Sequence, residues 1–316
     1  MSARRSQGGF TLVELMVALT LFSVAVAGAM SVAVSMTTGL KDQRTVVTAE
    51  ASVRGPMDLL AGTFRSASPG VSTGTIQDIA TCTTGAITVT NSTSGPDQVD
   101  VVTASGSVIS TLKSAYSAGG TTLTLADATQ FVTGDTLLVT DTSTGHLFVA
   151  TAVNTSTGAV TVASSSCTPT FPTGGYAAGA IVIKAKRVRY FVDSTGAATD
   201  GTPALMIDPD AGGPLAAEPI AAGVEDLQIA VGTDVDGDGA ISATEWAFSS
   251  GIGALTGSLR AVRITLVARA DRELVGGAAT FLRPAAEDHP VASTPDRFRR
   301  RALTSTIELR NFGGSP

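Results

Sequence analysis

The feature that most limits what this chain can become is the run from Phe10 to Leu40, FTLVELMVALTLFSVAVAGAMSVAVSMTTGL, in which Glu14 is the only ionisable side chain. About 20 apolar residues cross the hydrocarbon core of a bilayer as a helix, so this run spans a membrane with residues left for tilt or for continuation beyond the lipid. Arg4 and Arg5 precede it. Cationic residues stay on the cytoplasmic side, which puts the N-terminus there and sends the body outward. A secretory signal shares the basic start, but this run is too long, lacks a clear small-x-small site and carries a carboxylate near its beginning. A plain single-pass anchor explains length and orientation and leaves Glu14 unexplained. A carboxylate in lipid costs at least about 2.5 kcal/mol and marks a functional position by default.

The segment Gly8-Gly9-Phe10-Thr11-Leu12-Val13-Glu14-Leu15 resembles the processing site of type IV prepilins and type II secretion pseudopilins. The resemblance implies that a membrane peptidase cuts between Gly9 and Phe10, that the new Phe10 amine is methylated, and that Glu14 guides docking into a growing filament. The partners it implies are other pilins and minor pilins through the N-terminal helix, the prepilin peptidase/methylase and the inner-membrane assembly platform. The charges support that reading independently. Cutting after Gly9 removes both arginines and leaves an amine one helical turn from Glu14, and opposite charges attract strongly where the dielectric is low. If the amine of one subunit meets Glu14 of a neighbour, the cost of burying each charge is offset only on assembly, which fixes register. The alternative is a Glu14 that stays at the lipid headgroups. Ala18, Ser23, Ala25, Ala27, Gly28 and Ala29 let helices approach closely in lipid.

Beyond the membrane, Val46, Val53, Met57, Leu60 and Phe64 recur at helical spacing, among Lys41, Asp42, Arg44 and Glu50, so the helix is expected to continue as an amphipathic segment that holds a head. Pro56 predicts a kink or break within it. From about Thr63 the sequence turns to Ser, Thr, Gly and Val. Strands are expected over Gln98–Thr103, Thr121–Leu125, Thr136–Thr140, Leu147–Val153 and Ala159–Ala163, then over Ile181–Asp193, Ala204–Ile207, Val224–Val231, Leu259–Ala268 and Leu303–Leu309. The fold class is α+β: a long N-terminal transmembrane and amphipathic helix packed on an antiparallel β-sheet head, with an inserted β-rich subdomain. Val262, Ile264, Leu266 and Ala268 share the strand face expected against the helix. The expected organisation is a leader 1–9, helix 10–65 with a transmembrane part of about 10–40, inserted subdomain 66–180 and C-terminal head 181–316.

Further along, Gly134-Asp135-Thr136-Leu137-Leu138-Val139, Val188-Arg189-Tyr190-Phe191-Val192, Gly223-Val224-Glu225-Asp226-Leu227-Gln228 and Leu309-Arg310-Asn311 look like ordered landmarks of PilW-type minor pilins. That resemblance implies a minor pilin, a structural subunit processed after Gly9 and incorporated in, or priming, a type IV pilus near its tip. The alternatives are a minor pseudopilin of a type II secretion system (J-type) and a calcium-dependent tip adhesin. The implied location is the bacterial inner membrane for the precursor, with the body periplasmic, and then the pilus or cell surface.

Asp234-Val235-Asp236-Gly237-Asp238-Gly239-Ala240-Ile241-Ser242-Ala243-Thr244-Glu245 fits the twelve-position calcium loop, with carboxylates at positions 1, 3, 5 and 12 and glycine at 6. Asp234, Asp236, Asp238 and Glu245 would supply oxygens, with the Ala240 carbonyl and Ser242 completing the set. The flanks read as strands rather than a helix pair, and the alternative is a solvated acidic turn. Cys82 and Cys167 lack metal-ligand spacing; an exported body meets an oxidising compartment, so they form either one disulfide or two separate core thiols. A formal charge of −6 gives no broad positive field for nucleic acid, which is not an expected partner. The one dense basic cluster, Arg297, Arg299, Arg300 and Arg301, is a solvated strand entrance or a local anion contact. Gly251–Gly257 misses dinucleotide spacing. Neither His146 nor His289 sits beside a nucleophile or metalloprotease signature, so no enzyme is expected.

Overall fold

The computed structural model describes residues 11–168, 172–248, 258–273 and 280–312. One helix, α1 (Leu12–Arg65), runs for 54 residues, about 80 Å at 1.5 Å per residue. Thr11 is its N-cap. The apolar stretch Leu12–Thr37 is long enough to span a bilayer and none of it is buried by the rest of the chain. The head takes only the far end of the helix, where Val53, Met57, Leu60 and Phe64 are buried. The helix does not break at Pro56, contrary to expectation. Proline forfeits one helical hydrogen bond and costs about 3 kcal/mol or more in a helix interior. Here Pro56 is itself buried, and the helix face that includes it is pressed onto the head, which offsets that loss.

The head is built from two sheets. Strands β1 (Ile76–Asp78), β2 (Ile87–Thr90), β3 (Gln98–Thr111), β4 (Thr122–Thr124), β5 (Thr136–Thr140), β6 (Gly145–Asn154), β7 (Ala159–Val162), β8 (Ile181–Asp193), β9 (Ala204–Asp208) and β10 (Glu218–Ala222) form one ten-stranded sheet. Strands β11 (Val224–Asp234), β12 (Trp246–Ala247), β13 (Ser258–Arg269) and β14 (Arg300–Glu308) form a second, in the order β12-β11-β13-β14. All pairings are antiparallel except β1 with β6. Strand β8 is the spine of the large sheet. One of its edges pairs with β3 along most of its length, while the other pairs with β5 through Ile181–Ala185 and with β9 through Arg189–Asp193.

Strands β8, β9 and β10, which follow the expected division at 180/181, are hydrogen-bonded into the ten-stranded sheet with β1–β7, and the second sheet begins at Val224.

Two hydrophobic clusters result. The larger joins the helix end to both sheets and holds Val53, Leu60, Phe64, Ile229, Val262, Ile264 and Leu266; Ala268 lies in it as well. The strand face expected against the helix is therefore the one that packs there. The smaller cluster draws only on residues 79–182, including Leu123, Leu137, Phe148, Val160 and Tyr176. Strands β5, β6 and β8 feed both: Leu138, Leu147 and Ile183 enter the first, and Leu137, Phe148 and Val182 enter the second. Both faces of these strands are buried, which is why they read as continuous apolar runs instead of alternating ones.

Candidate functional site

At the helix start, the cleavage pair Gly9 and Phe10, with the Phe10 methylation position, lies outside the described residues. Glu14 is described and exposed. Its carboxylate accepts from the Thr11 backbone N–H at 3.0 Å and the Thr11 hydroxyl at 2.9 Å, while the Thr11 oxygen accepts from the Glu14 N–H at 3.3 Å. This is a capping box, whose Thr-x-x-Glu signature precedes the apolar run and could have been read from sequence. In the single chain the charge of Glu14 satisfies its own helix end. That end bears partial positive charge from the aligned peptide dipoles.

The acidic loop leaves β11 at Asp234 and returns through a short 3-10 turn, Ala243–Glu245, into β12. Asp234, Asp236 and Glu245 bring carboxylate oxygens within 4.8 Å of one another. Asp238 is not in that group; its carboxylate accepts from the Ala240 N–H at 2.8 Å. The Asp234 side chain is 1% exposed and pairs with Arg260 at 3.2 Å, and it accepts from the N–H groups of Gly237 and Gly239. Glu245 spans the loop mouth, accepting from Val235 N–H at 2.8 Å and Ser242 N–H at 2.7 Å. These bonds, with that to Ser242 the largest contributor, hold its carboxyl below the ordinary range. Three of the four predicted carboxylates thus converge in a geometry that suits a hard divalent cation. A groove of about 440 Å³ adjoins the loop, lined by Ile241, Trp246, Arg260, Glu308 and Phe312 among others.

The family-like landmarks are tie points of the head. Arg189 holds Asp100 with two bonds of 2.8 and 2.9 Å, and the Tyr190 hydroxyl meets that of Thr63 on the helix at 2.8 Å. Asp135 ion-pairs with Lys184 at 2.8 Å. Asn311 donates to the carbonyl of Ala67, just past the helix, at 2.8 Å, and Phe312 packs on Gly74, whose φ is +69. Asp226 is fully buried, accepting from Arg283 at 2.9 Å, from Gln228 at 3.0 Å and from His289 at 2.8 Å. Sequence reading missed Asp226, because a carboxylate within Gly223–Gln228 looks like part of a solvated strand face.

Cys82 and Cys167 form a disulfide closing a sequence separation of 85, with Cα atoms 5.4 Å apart. His146 is buried between Tyr176 and Gln77, and burial pushes it down to about 4, so it stays neutral. The basic cluster is not a solvated entrance throughout. Arg300 is 8% exposed and is bound by Glu225 and Asp296, and Arg299 lies over the Phe281 ring. Gly251–Gly257 lies outside the described residues.

The chain thus carries a mostly antiparallel sheet head on a long helix whose first half is exposed and apolar. Residues 4–30 match the prokaryotic N-terminal methylation motif, and residues 189–311 match the family described as Type IV Pilus-assembly protein W. No curated protein matches the chain significantly. A solved structure, the type IV-like pilin TTHA1219 from Thermus thermophilus, is similar over 83% of this chain and 97% of that one, at 12% identity and a TM-score of 0.40. A likeness at that level carries no residue-by-residue correspondence. The chain is thus similar to prepilins over its first 30 residues and to the Type IV Pilus-assembly protein W family over residues 189–311. That region spans the second sheet, the acidic loop and the Asp226 cluster.

Proposed function

We propose that this chain is a minor pilin, cut after Gly9, methylated at the Phe10 amine, and then incorporated in or used to prime a type IV pilus near its tip. The observation that carries the reading is a methylation motif over residues 4–30 placed on a helix whose Leu12–Thr37 stretch touches nothing else in its own chain. Such a surface needs either lipid or neighbouring helices to cover it. On extraction from the membrane the Glu14 carboxylate would exchange its Thr11 bonds for the amine of an adjacent subunit, giving each incoming helix a single register. The partners are other pilins, the prepilin peptidase and the assembly platform. The test is intact mass and N-terminal sequencing of protein from cells with and without the peptidase, alongside Gly9→Val. A peptidase-dependent chain beginning at methylated Phe10 is the expected result. An uncut start, or a cut beyond the apolar run, would reduce the protein to an anchored or secreted one.

The converging oxygens of Asp234, Asp236 and Glu245 support a second element of the same reading, a calcium ion held in the loop with Asp238, the Ala240 carbonyl and Ser242. The ion would order the loop rather than perform chemistry, since closely spaced carboxylates repel one another without a cation. Calorimetric titration of the full chain in detergent with calcium, compared with Asp234→Asn and Glu245→Gln, tests it. Heat of binding that both substitutions abolish is the expected outcome.

A further inference from the structure

Residues 281–296 form a strap without regular secondary structure that lies over the polar side of the second sheet. Its two ends are joined by reciprocal backbone bonds, Phe281 N–H to Asp296 oxygen at 2.7 Å and Asp296 N–H to Phe281 oxygen at 2.9 Å. Its tip is a turn closed by Ala286 and His289, again reciprocally. Between these closures the strap sends charged side chains inward. Arg283 and His289, each with a side chain 12% exposed, reach the fully buried Asp226 of β11. Glu287 takes Arg263 of β13 in a forked pair, from Nε to Oε1 at 2.9 Å and from Nη2 to Oε2 at 2.5 Å, and also accepts from the Thr265 hydroxyl at 3.0 Å. Glu287 has a φ of +47, a conformation that costs a non-glycine residue energy, so the forked pair is what keeps the tip in place.

A third element closes the cluster. The loop before β3 brings Asp97, 1% exposed, to accept from the N–H groups of Ser92 and Ile229 at 2.8 Å each, and Asn91 donates to Asp288 of the strap at 2.9 Å. The groups facing one another are thus Asp97 from the loop, Asp226 from β11, Arg263 from β13, and Arg283, Glu287, Asp288 and His289 from the strap. At the strap base, Arg300 of β14 binds Asp296 and Glu225 and balances them. Within the cluster four carboxylates meet two guanidiniums, so two negative charges are left over in a site shielded from water, where like charges are costly.

We propose that the strap is an acid-tightened clamp: protonation of Asp97 in mildly acidic surroundings relieves the surplus negative charge facing Asp226 and Asp288 and fastens residues 281–296 to the sheet, while neutral to alkaline surroundings loosen them. Burial, with Asp288 and Asp226 adding to it, pushes Asp97 up to about 6 despite its two backbone donors. For a body outside the cytoplasm, the clamp would respond to the pH of the medium. Strap closure also sets whether the outer face of the second sheet is covered, and that face belongs to the region of PilW type.

The test is amide hydrogen exchange read by mass spectrometry on the full chain in detergent at about pH 5.5 and about pH 7.5, after correction for the intrinsic chemical rate, comparing peptides from 281–296 with peptides from β5 and β6. We expect strap protection about fourfold higher at the lower pH, as a carboxyl raised from 3.8 to about 6 by strap closure implies, with β5 and β6 unchanged. Asp97→Asn keeps an acceptor for one backbone N–H and should make strap protection independent of pH. A wild-type strap whose protection does not rise on acidification overturns the proposal, whether or not the variant folds. The same holds if the Asp97→Asn chain keeps the full pH dependence.

Discussion

The second sheet and the region around the smaller cluster solve one problem in opposite ways. Each has a sheet with one face pressed on the main core and another face to dispose of. In β5, β6 and β8 the second face is apolar and buries into its own cluster of Leu137, Phe148 and Val182, with a disulfide from Cys82 to Cys167 closing the region. In β11 and β13 the second face is polar, with Asp226, Gln228 and Thr265 buried under ion-paired loops. Apolar burial is insensitive to pH and to salt, whereas a buried charge cluster depends on every partner being present. The first solution therefore gives a fixed body and the second a responsive one.

Paired substitutions would break this comparison most directly. Phe148→Ala should cost about 3–5 kcal/mol through the cavity left behind and should raise hydrogen exchange across residues 122–162 while β11 and β13 stay protected. Arg283→Ala should cost a similar about 3–5 kcal/mol by stranding the Asp226 carboxylate, with the exchange pattern reversed. If both substitutions melt the head as one unit, the two regions do not differ in the way described. Replacing both cysteines with serine comes next. Opening a loop of that length costs about 4.5 kcal/mol in the chain-entropy account, and about 2–5 kcal/mol is typical of native disulfides; thermal unfolding under reducing conditions should match the variant.

The Asp97 substitution has the opposite sign. A carboxyl whose folded value is raised from 3.8 to about 6 binds its proton more tightly when folded. Its contribution to stability is therefore present below the unfolded value and is lost as pH rises through about 6. Asp97→Asn should stabilise the head at neutral pH, by on the order of 2 kcal/mol, and flatten stability between about pH 4 and 6. Denaturant melts across that window check it. The smallest effect belongs to Glu50 and Arg54, an exposed helical pair at 2.9 Å. Glu50→Gln should change stability by less than about 0.5 kcal/mol.

The apolar helix and most strands were legible in the sequence. Thr136–Thr140 and Ile181–Asp193 have the observed bounds because turn residues punctuate strongly apolar runs. Ile76–Asp78, Glu218–Ala222 and Trp246–Ala247 were not, being short, interrupted by Pro219 or defined only by a distant partner. The acidic loop was visible because its spacing is local; the clamp was not, since Asp97, Asp226 and His289 are brought together by three separate segments. Pro56 misled for a related reason: local chemistry predicts a break, and only packing against the head keeps the helix whole.

The shared strand β8 has a mechanical meaning. Were the chain pulled through its helix, one polar link from helix to head would be the contact between Thr63 and the core residue Tyr190 on β8. Tension entering there meets a strand laced to neighbours along both edges, so many backbone bonds must shear together before it slips. Load is thereby spread over β3, β5 and β9 of the large sheet, and a tether fixed at the far end of the smaller cluster could bear force without peeling that sheet from the helix.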